Sequence, residues 1–400
     1  MRYFIKSYGC RLNQYYADYF INAVISSGAH VAKDESEADV VAIASCVVTH
    51  KAERDLRHYI SHIKRTNPQA KIVVFGCYPK YKNLEDVYAS GTVGEVIEKL
   101  KLHDPGFLIR PLFRVRVNIR IQEGCNFRCS YCVVPFVRGP SRSRSEDEIL
   151  HEIKNVVENG AVEIVLTGIQ TGEWGREWGK KLSQLIRKIK DQNPDLRIRL
   201  SSISPIHIKE DIIALLREGI ILPHLHLPLQ HGSRKVLKDM KRPYKLEYYL
   251  SVVHRLLDEV DNIAIGTDVI VGFPTETDED FEESFKLINA IPYAYMHVFE
   301  FSPRKGTEAA LLKPLKSDVV KQRKRRLLEL AKVKKAEYLS RQIGRILTAV
   351  AETEEKDYYS LTADNYVKVY VKKSFNMDIG KVVKIMILEA MEDHVVGEPV

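Results

Sequence analysis

Gly124-Cys125-Asn126-Phe127-Arg128-Cys129-Ser130-Tyr131-Cys132 sets three cysteines in one short loop, directly after the strand-like run Asn118–Gln122. The C-x3-C-x2-C spacing lets that loop wrap a cubane metal cluster and supply three iron ligands, leaving the fourth iron open to a small chelating molecule. Structural zinc stays open as an alternative, but it wants a fourth protein ligand close by. The nearest histidines, His103 and His151, sit in no knuckle-like spacing. The chain has six cysteines, and the other three, Cys10, Cys46 and Cys77, are scattered ahead of this loop.

The scattered cysteines share an address. Tyr3–Ile5, Asp39–Ala44 and Lys71–Phe75 read as strands, alternating with helices at Gln14–Ser27, closed by Gly28, and His50–Lys64. Such alternation predicts a parallel sheet covered by helices, here a flavodoxin-like α/β domain over residues 1–112. Each of the three cysteines lies just past the carboxyl end of a strand, where open α/β sheets form their ligand crevice. The expectation is a second site of three converging thiolates.

Lys101–Arg116, with Asp104-Pro105-Gly106 and Pro111, reads as a linker. Beyond it the alternation restarts on a longer repeat, with strands at Asn118–Gln122, Val162–Leu166, Arg197–Leu200, His224–Leu227, Ile263–Ile270 and Ala294–Phe299. Ser145 and Glu148 form a capping box for a helix whose apolar face is Ile149, Leu150, Ile153, Val156 and Val157. Six such units over residues 113–340 predict a partial (β/α)6 barrel with its function at the strands' carboxyl ends. The helix Asp318–Ser340 carries Lys321, Arg323, Lys324, Arg325 and Arg326, read as a solvated face opposite Leu327, Leu328, Leu330 and Ala331. Residues 341–400 read as a small antiparallel β-barrel, with strands at Ile346–Ala351, Tyr366–Val371 and Val382–Leu388.

Lysine plus arginine number 61 against 53 acidic residues. The excess lies ahead of the tail, which has eight basic and ten acidic residues from Arg341 to Val400. A basic balance suits a polyanion partner. No apolar run approaches a membrane span, and Met1 leads straight into Tyr3-Phe4-Ile5 without a signal-peptide pattern. The chain is therefore expected in the reducing cytoplasm, where thiolates stay free for metal.

The cysteine loop, with an aromatic residue before its last cysteine and its place after the first barrel strand, resembles the radical S-adenosylmethionine superfamily. The likeness narrows to the methylthiotransferases. Tyr8-Gly9-Cys10-Arg11-Leu12-Asn13-Gln14, Ser45-Cys46-Val47-Val48-Thr49 and Gly76-Cys77 are similar to their N-terminal domain. Gln122-Glu123-Gly124-Cys125-Asn126, Pro135-Phe136-Val137-Arg138-Gly139 and Ser141-Arg142-Ser143-Arg144 resemble their central domain. So do Leu225-His226-Leu227-Pro228-Leu229-Gln230-His231-Gly232-Ser233, Gly272-Phe273-Pro274-Thr275-Glu276-Thr277 and Phe301-Ser302-Pro303-Arg304-Lys305-Gly306-Thr307. The tail is similar in size and strand pattern to their TRAM domain.

The resemblance implies two [4Fe-4S] clusters, a radical-generating one on Cys125, Cys129 and Cys132 and an auxiliary one on Cys10, Cys46 and Cys77. It further implies two equivalents of S-adenosylmethionine per turnover, one to methylate a sulfur and one to make the radical, and an external electron donor such as flavodoxin or ferredoxin. Tyr131, Thr167, Gly168, Ser201 and Gln230 are expected around S-adenosylmethionine, and Arg138, Arg142 and Arg144 on RNA phosphates. The implied substrate is a hypermodified adenosine in a tRNA anticodon stem-loop, with the protein a monomer. Cys46-Val47-Val48-Thr49-His50-Lys51-Ala52 and Leu166-Thr167-Gly168 look most like the threonylcarbamoyladenosine branch. The isopentenyladenosine and ribosomal-protein branches are the alternatives, as is a noncatalytic iron–sulfur protein that binds RNA or senses redox state. Ala44-Ser45 departs from the family's usual Asn-Thr, and Ile169-Gln170 and Trp174 from its Val-Asn and Tyr, which puts the hydrogen bonds behind Cys46 in question.

Overall fold

The computed structural model describes residues 1–109 and 115–400. It divides into two compact units. One comprises Met1–Asn126, Cys132–Ala161 and Thr167–Ile169; the other Phe127–Tyr131, Val162–Leu166 and Gln170–Val400. The expected boundary between residues 112 and 113, and part of the expected linker, lie outside the described residues.

In the first unit, β1 (Arg2–Ser7), β2 (His30–Val31), β3 (Val40–Ser45), β4 (Lys71–Gly76) and β5 (Tyr88–Ser90) form an all-parallel sheet in the order 2-1-3-4-5. That is the flavodoxin-like order, with its switch point between β1 and β3. Successive strand side chains point to opposite faces, and both faces are covered. Val41, Ile43 and Val74 pack with Leu56, Ile60 and Ile63 of α2 (His50–Thr66), while Ala42, Ala44, Val73 and Phe75 pack with Phe20 and Val24 of α1 (Arg11–Ser26). Helix α1 starts three residues earlier than its apolar pattern suggests, because Cys10 itself occupies the N-cap. Gly28, with φ of +69°, closes it in the left-handed conformation that costs glycine little. Thr49 caps α2 by accepting from the Ala52 N–H at 3.2 Å.

The run read as one strand at 118–122 is two: β6 (Arg116–Arg120) and β7 (Gln122–Glu123), the latter paired antiparallel with β8 (Arg142–Ser143). The Ser145–Glu148 capping box is present and opens the helix Glu146–Glu158.

In the second unit, β9 (Glu163–Thr167) pairs in parallel with β10 (Arg197–Leu200). A further parallel sheet runs β11 (His224–His226), β12 (Ala264–Val271), β13 (Tyr295–Glu300). These limits lie within two residues of the sequence expectation. On β12, Ile265, Thr267, Val269 and Val271 are buried, and Gly266, Asp268 and Ile270 share the opposite face. The helix Ser317–Ser340 corrects the reading of its basic run as a purely solvated face. Arg323 is buried and paired with Glu276 at 2.6 Å, Lys324 pairs with Glu300 at 2.9 Å, and Arg326 with Glu282.

The tail closes into a five-stranded barrel: β14 (Ile346–Glu354), β15 (Tyr358–Ala363), β16 (Lys368–Lys372), β17 (Val382–Ala390) and β18 (Val395–Pro399), joined 14-15-16-18-17. Its pairs are antiparallel except the closing β16–β18 pair, which is parallel. Strand β18 escapes sequence reading because Gly397 and Pro399 weaken a strand pattern. Gly397 is there for closure, since a Cβ would stand 2.4 Å from the Met386 carbonyl oxygen.

Arg199 of β10 anchors the tail. Fully buried, it bonds Glu163 Oε1 at 2.8 Å and donates to the carbonyls of Asp364 at 2.9 Å and Ala363 at 3.1 Å, with Tyr366 against its guanidinium. Glu163 also receives Arg197 at 3.0 Å. A buried charge is tolerated only when its partners are in place, so Arg199→Met should lower unfolding stability by about 3 kcal/mol or more in chemical denaturation.

Candidate active site

The three scattered cysteines follow β1, β3 and β4, and backbone geometry gathers them. Gly9 has φ of +95°, and a Cβ there would lie 2.6 Å from Cys46 Cβ and 2.9 Å from Cys46 Sγ. Gly76, at φ of +104°, would place a Cβ 2.8 Å from the Ser45 carbonyl oxygen. Both glycines let the cysteine loops approach as no larger residue would. Asn13 ties the loops, donating from Nδ2 to the carbonyls of Tyr8 at 2.7 Å and Ser45 at 2.9 Å. The Ser45 carbonyl also accepts from Cys77 N–H at 3.0 Å. The Ser45 hydroxyl donates to Phe75 O at 2.7 Å and accepts from Tyr78 N–H at 3.3 Å. The departure from the family pattern before Cys46 thus carries its own hydrogen bonds.

Arg138 completes this site from beneath. It is 4% exposed. Its Nε donates to Cys77 Sγ at 3.0 Å, Nη1 to Glu123 Oε1 at 2.7 Å and Nη2 to Asn13 Oδ1 at 2.6 Å. Tyr16 Oη donates to the other Glu123 oxygen at 2.7 Å. Burial raises the Cys77 pKa, opposed by the Arg138 charge. Burial likewise pushes the Cys46 thiol up to about 12. Glu123 is held below the usual carboxylate range: burial works against its charge, and Arg138 and Tyr16 outweigh it. The donor set fits a cluster with an open position. Among the described residues, Cys10, Cys46 and Cys77 do not form one of the ligand groups gathered within 4.8 Å that a single ion needs.

In the first unit's part of the cysteine loop, Gly124 has φ of +77°, and a Cβ would fall 1.9 Å from the Pro140 carbonyl oxygen. Cys125 N–H donates to Gly139 O at 3.0 Å, and Gln122 Nε2 donates to Gly124 O at 2.9 Å and Ser141 Oγ at 2.8 Å. Gly168 approaches Gln122 closely enough that a Cβ would meet Oε1 at 2.9 Å, and the carbonyl of Thr167 accepts from Ile121 N–H.

In the second unit, Ser130 pins its stretch of the loop, donating through N–H to Met240 O at 3.1 Å and through Oγ to Asp239 O at 2.7 Å. Arg242 Nη1 lies 3.4 Å from Cys129 Sγ and 3.3 Å from Tyr131 Oη, so a half-buried positive charge faces the sulfur. Tyr131 packs with Ile270 and Phe301 around Phe273 and Met240. Ser201 is buried directly after β10, its hydroxyl 3.1 Å from that of Thr171. Gln230 exchanges backbone hydrogen bonds with Asp268 and Ile270 and holds φ of +71°, a strained conformation for a side chain of its size.

Of the arginines expected on phosphates, only Arg142 is exposed. Arg138 serves the Cys77 site, and Arg144 is buried against Glu152, whose Oε1 also accepts from Tyr15 Oη at 3.0 Å and Leu108 N–H at 2.7 Å. Both are corrections, since a buried, paired guanidinium has no fork left for a phosphate. Sequence reasoning missed Asn13, Glu123 and Arg242 as members of these sites; Asn13 and Glu123 stand close to a cysteine but carry no spacing signal of their own, and Arg242 lies outside every motif.

Comparison with known proteins places the chain. It matches the Radical SAM superfamily over residues 119–288 and Uncharacterized protein family UPF0004 over residues 2–96. It is 36% identical to the threonylcarbamoyladenosine tRNA methylthiotransferase MtaB of Aquifex aeolicus, covering 97% of this chain and 100% of that one. The chain belongs to the methylthiotransferase family of radical S-adenosylmethionine enzymes. A family member from Endomicrobium trichonymphae, a tRNA-2-methylthio-N(6)-dimethylallyladenosine synthase, is 32% identical over the full length of both chains. The radical S-adenosylmethionine methyltransferase TsrM of Kitasatospora setae shares the fold, with a TM-score of 0.54 at 15% identity and 77% of each chain covered. Membership makes this chain an enzyme with a [4Fe-4S] cluster and S-adenosylmethionine. Among the described residues, no helix is long and apolar enough to cross a membrane.

Two outcomes follow for the Cys77 site. Arg138→Met removes the nearer cation from Glu123, leaving it Tyr16 and the more distant Arg120, and takes the opposing charge from the Cys77 thiol; it should cost about 3 kcal/mol of stability and lower any iron bound at Cys10, Cys46 and Cys77, with Arg138→Lys intermediate. Because burial raises the Cys46 and Cys77 thiols, loading metal on them must expel protons and should improve from about pH 7 to about pH 9. Iron per chain, measured in a Cys125→Ala/Cys129→Ala/Cys132→Ala background, checks the sign; a flat or falling profile contradicts it.

Proposed function

We propose that this methylthiotransferase inserts a methylthio group at C2 of N6-threonylcarbamoyladenosine, the modified adenosine beside the anticodon of tRNA. The observation that carries the reading is the pair of three-cysteine sites, one knit by Asn13, Ser45 and Arg138 at the ends of a flavodoxin-like sheet, the other on the loop after β6. The near-full-length likeness to the Aquifex enzyme supports the substrate.

In this reading Cys125, Cys129 and Cys132 hold one [4Fe-4S] cluster and Cys10, Cys46 and Cys77 a second. When bound, the first cluster supplies the electron that cleaves S-adenosylmethionine, and the second presents the sulfur. Arg242 sets positive charge beside Cys129 and orients the Tyr131 hydroxyl. Tyr131, Thr167, Gly168, Ser201 and Gln230 contact S-adenosylmethionine from strand ends and the loop, with the strained Gln230 backbone fixing its side chain. Arg142 remains as the exposed contact for an RNA phosphate. Two equivalents of S-adenosylmethionine are used, electrons arrive from a reducing protein such as flavodoxin or ferredoxin, and the enzyme works as a cytoplasmic monomer.

Mass spectrometry of tRNA nucleosides from a strain lacking the gene tests the substrate. Loss of the 2-methylthio form of threonylcarbamoyladenosine, with the isopentenyladenosine product intact, is expected; the converse loss would transfer the enzyme to the other branch. Anaerobic protein with reductant should release 5′-deoxyadenosine, and Cys129→Ala should abolish it.

A further inference from the structure

Three neighbouring strands of the second unit bring His226, Asp268 and His297 onto one face. The register sets His226 opposite Gly266 and Asp268 opposite His297, and Asp268 follows Gly266 by two residues, so all three side chains leave the sheet on the same side. His226 Nε2 lies 3.1 Å and His297 Nδ1 3.2 Å from the same carboxylate oxygen, Asp268 Oδ1. All three ligand atoms sit within 4.8 Å of one another. Ligands at about 2.1 Å from an ion stand roughly 3.0–3.4 Å apart in octahedral or tetrahedral shells, and both separations from Asp268 Oδ1 to the histidine nitrogens fall in that range.

The surroundings are built to orient His226. Tyr295 Oη stands 3.2 Å from His226 Nδ1 and 2.8 Å from His224 Nε2. With His226 Nε2 on a metal, Nδ1–H donates to the tyrosine oxygen and the tyrosine hydroxyl donates to His224, the outer hydrogen bond that metal-binding histidines require. The Tyr295 ring reaches that position only because Gly266 has no side chain; a Cβ there would lie 2.1 Å from Tyr295 Cζ. Ile270, the next residue on this face of β12, packs in the cluster that also takes Tyr131.

We propose that His226, Asp268 and His297 form a binding site for a divalent transition-metal ion, separate from the cysteine sites. The two-histidine, one-carboxylate set suits zinc or ferrous iron and leaves further positions open on the exposed His297 side, available to an oxygen donor.

The test uses cluster-reconstituted enzyme, passed over chelating resin and dialysed to equilibrium against zinc chloride, with zinc, iron and sulfide counted per chain. Wild type should take up one zinc beyond its clusters. Asp268→Asn and His297→Ala should each weaken that uptake at least tenfold while iron and sulfide stay at wild-type levels; His297 is largely exposed, so its replacement leaves the fold intact. Gly266→Ala, which displaces the Tyr295 ring, should weaken it as well. Failure of the wild type to bind zinc or ferrous iron, or equal uptake by wild type and both ligand variants, would overturn the proposal.

Discussion

The buried guanidinium of Arg138 is the contact on which the first unit's chemistry depends. Its three nitrogens donate to a cysteine sulfur, a carboxylate and an asparagine amide, groups that come from the loop after β4, from β7 and from α1. A guanidinium can do this because it is planar, always charged and weakly hydrated, so burying it costs less than burying an ammonium. Withdrawn from water, it needs each of these partners, and they in turn need it: Glu123 would lose its nearest cation, and Cys77 the positive charge that offsets its burial. One side chain thereby ties the sequence after the C-x3-C-x2-C loop to Cys77 and to Asn13, which joins the loops of the other cysteine set.

The second unit solves a similar problem with Arg199. Glu163 sits on a strand buried on both sides, where a lone carboxylate would be costly; two arginines from the next strand neutralise it, and Arg199 spends its remaining donors on the carbonyls of the tail's Ala363–Asp364 turn. Charge neutralisation inside the barrel and attachment of the tail are the same interaction. Arg242 repeats the pattern beside the cysteine loop, holding a positive charge against the Cys129 sulfur.

Much of this architecture was legible beforehand. Strand and helix positions follow from apolar periodicity, and the sequence alone puts the three early cysteines at strand ends, because an alternating β/α pattern places ligands there. The misses have specific causes. The run at 118–122 breaks into two strands because β7 leaves to pair with β8, a tertiary event. Arg138 and Arg144 read as surface cations because exposed arginine is the usual case, and only the positions of Cys77, Glu123 and Glu152 in space reverse that. The basic helix misled in the same way, since Glu276, Glu282 and Glu300 come from other elements.

What the sequence determined by itself was the inventory and its addresses: two sets of three thiols, each beside strand ends, and the glycines that precede them. Covalent spacing and local periodicity suffice for that, since they act within a turn or a strand. Only the tertiary structure decided which charges are buried, which partners neutralise them, and that His226, Asp268 and His297, far apart in the chain, share one face of one sheet. Those outcomes depend on strand order and register, which arise from packing across the whole unit and have no signature in any single stretch of residues.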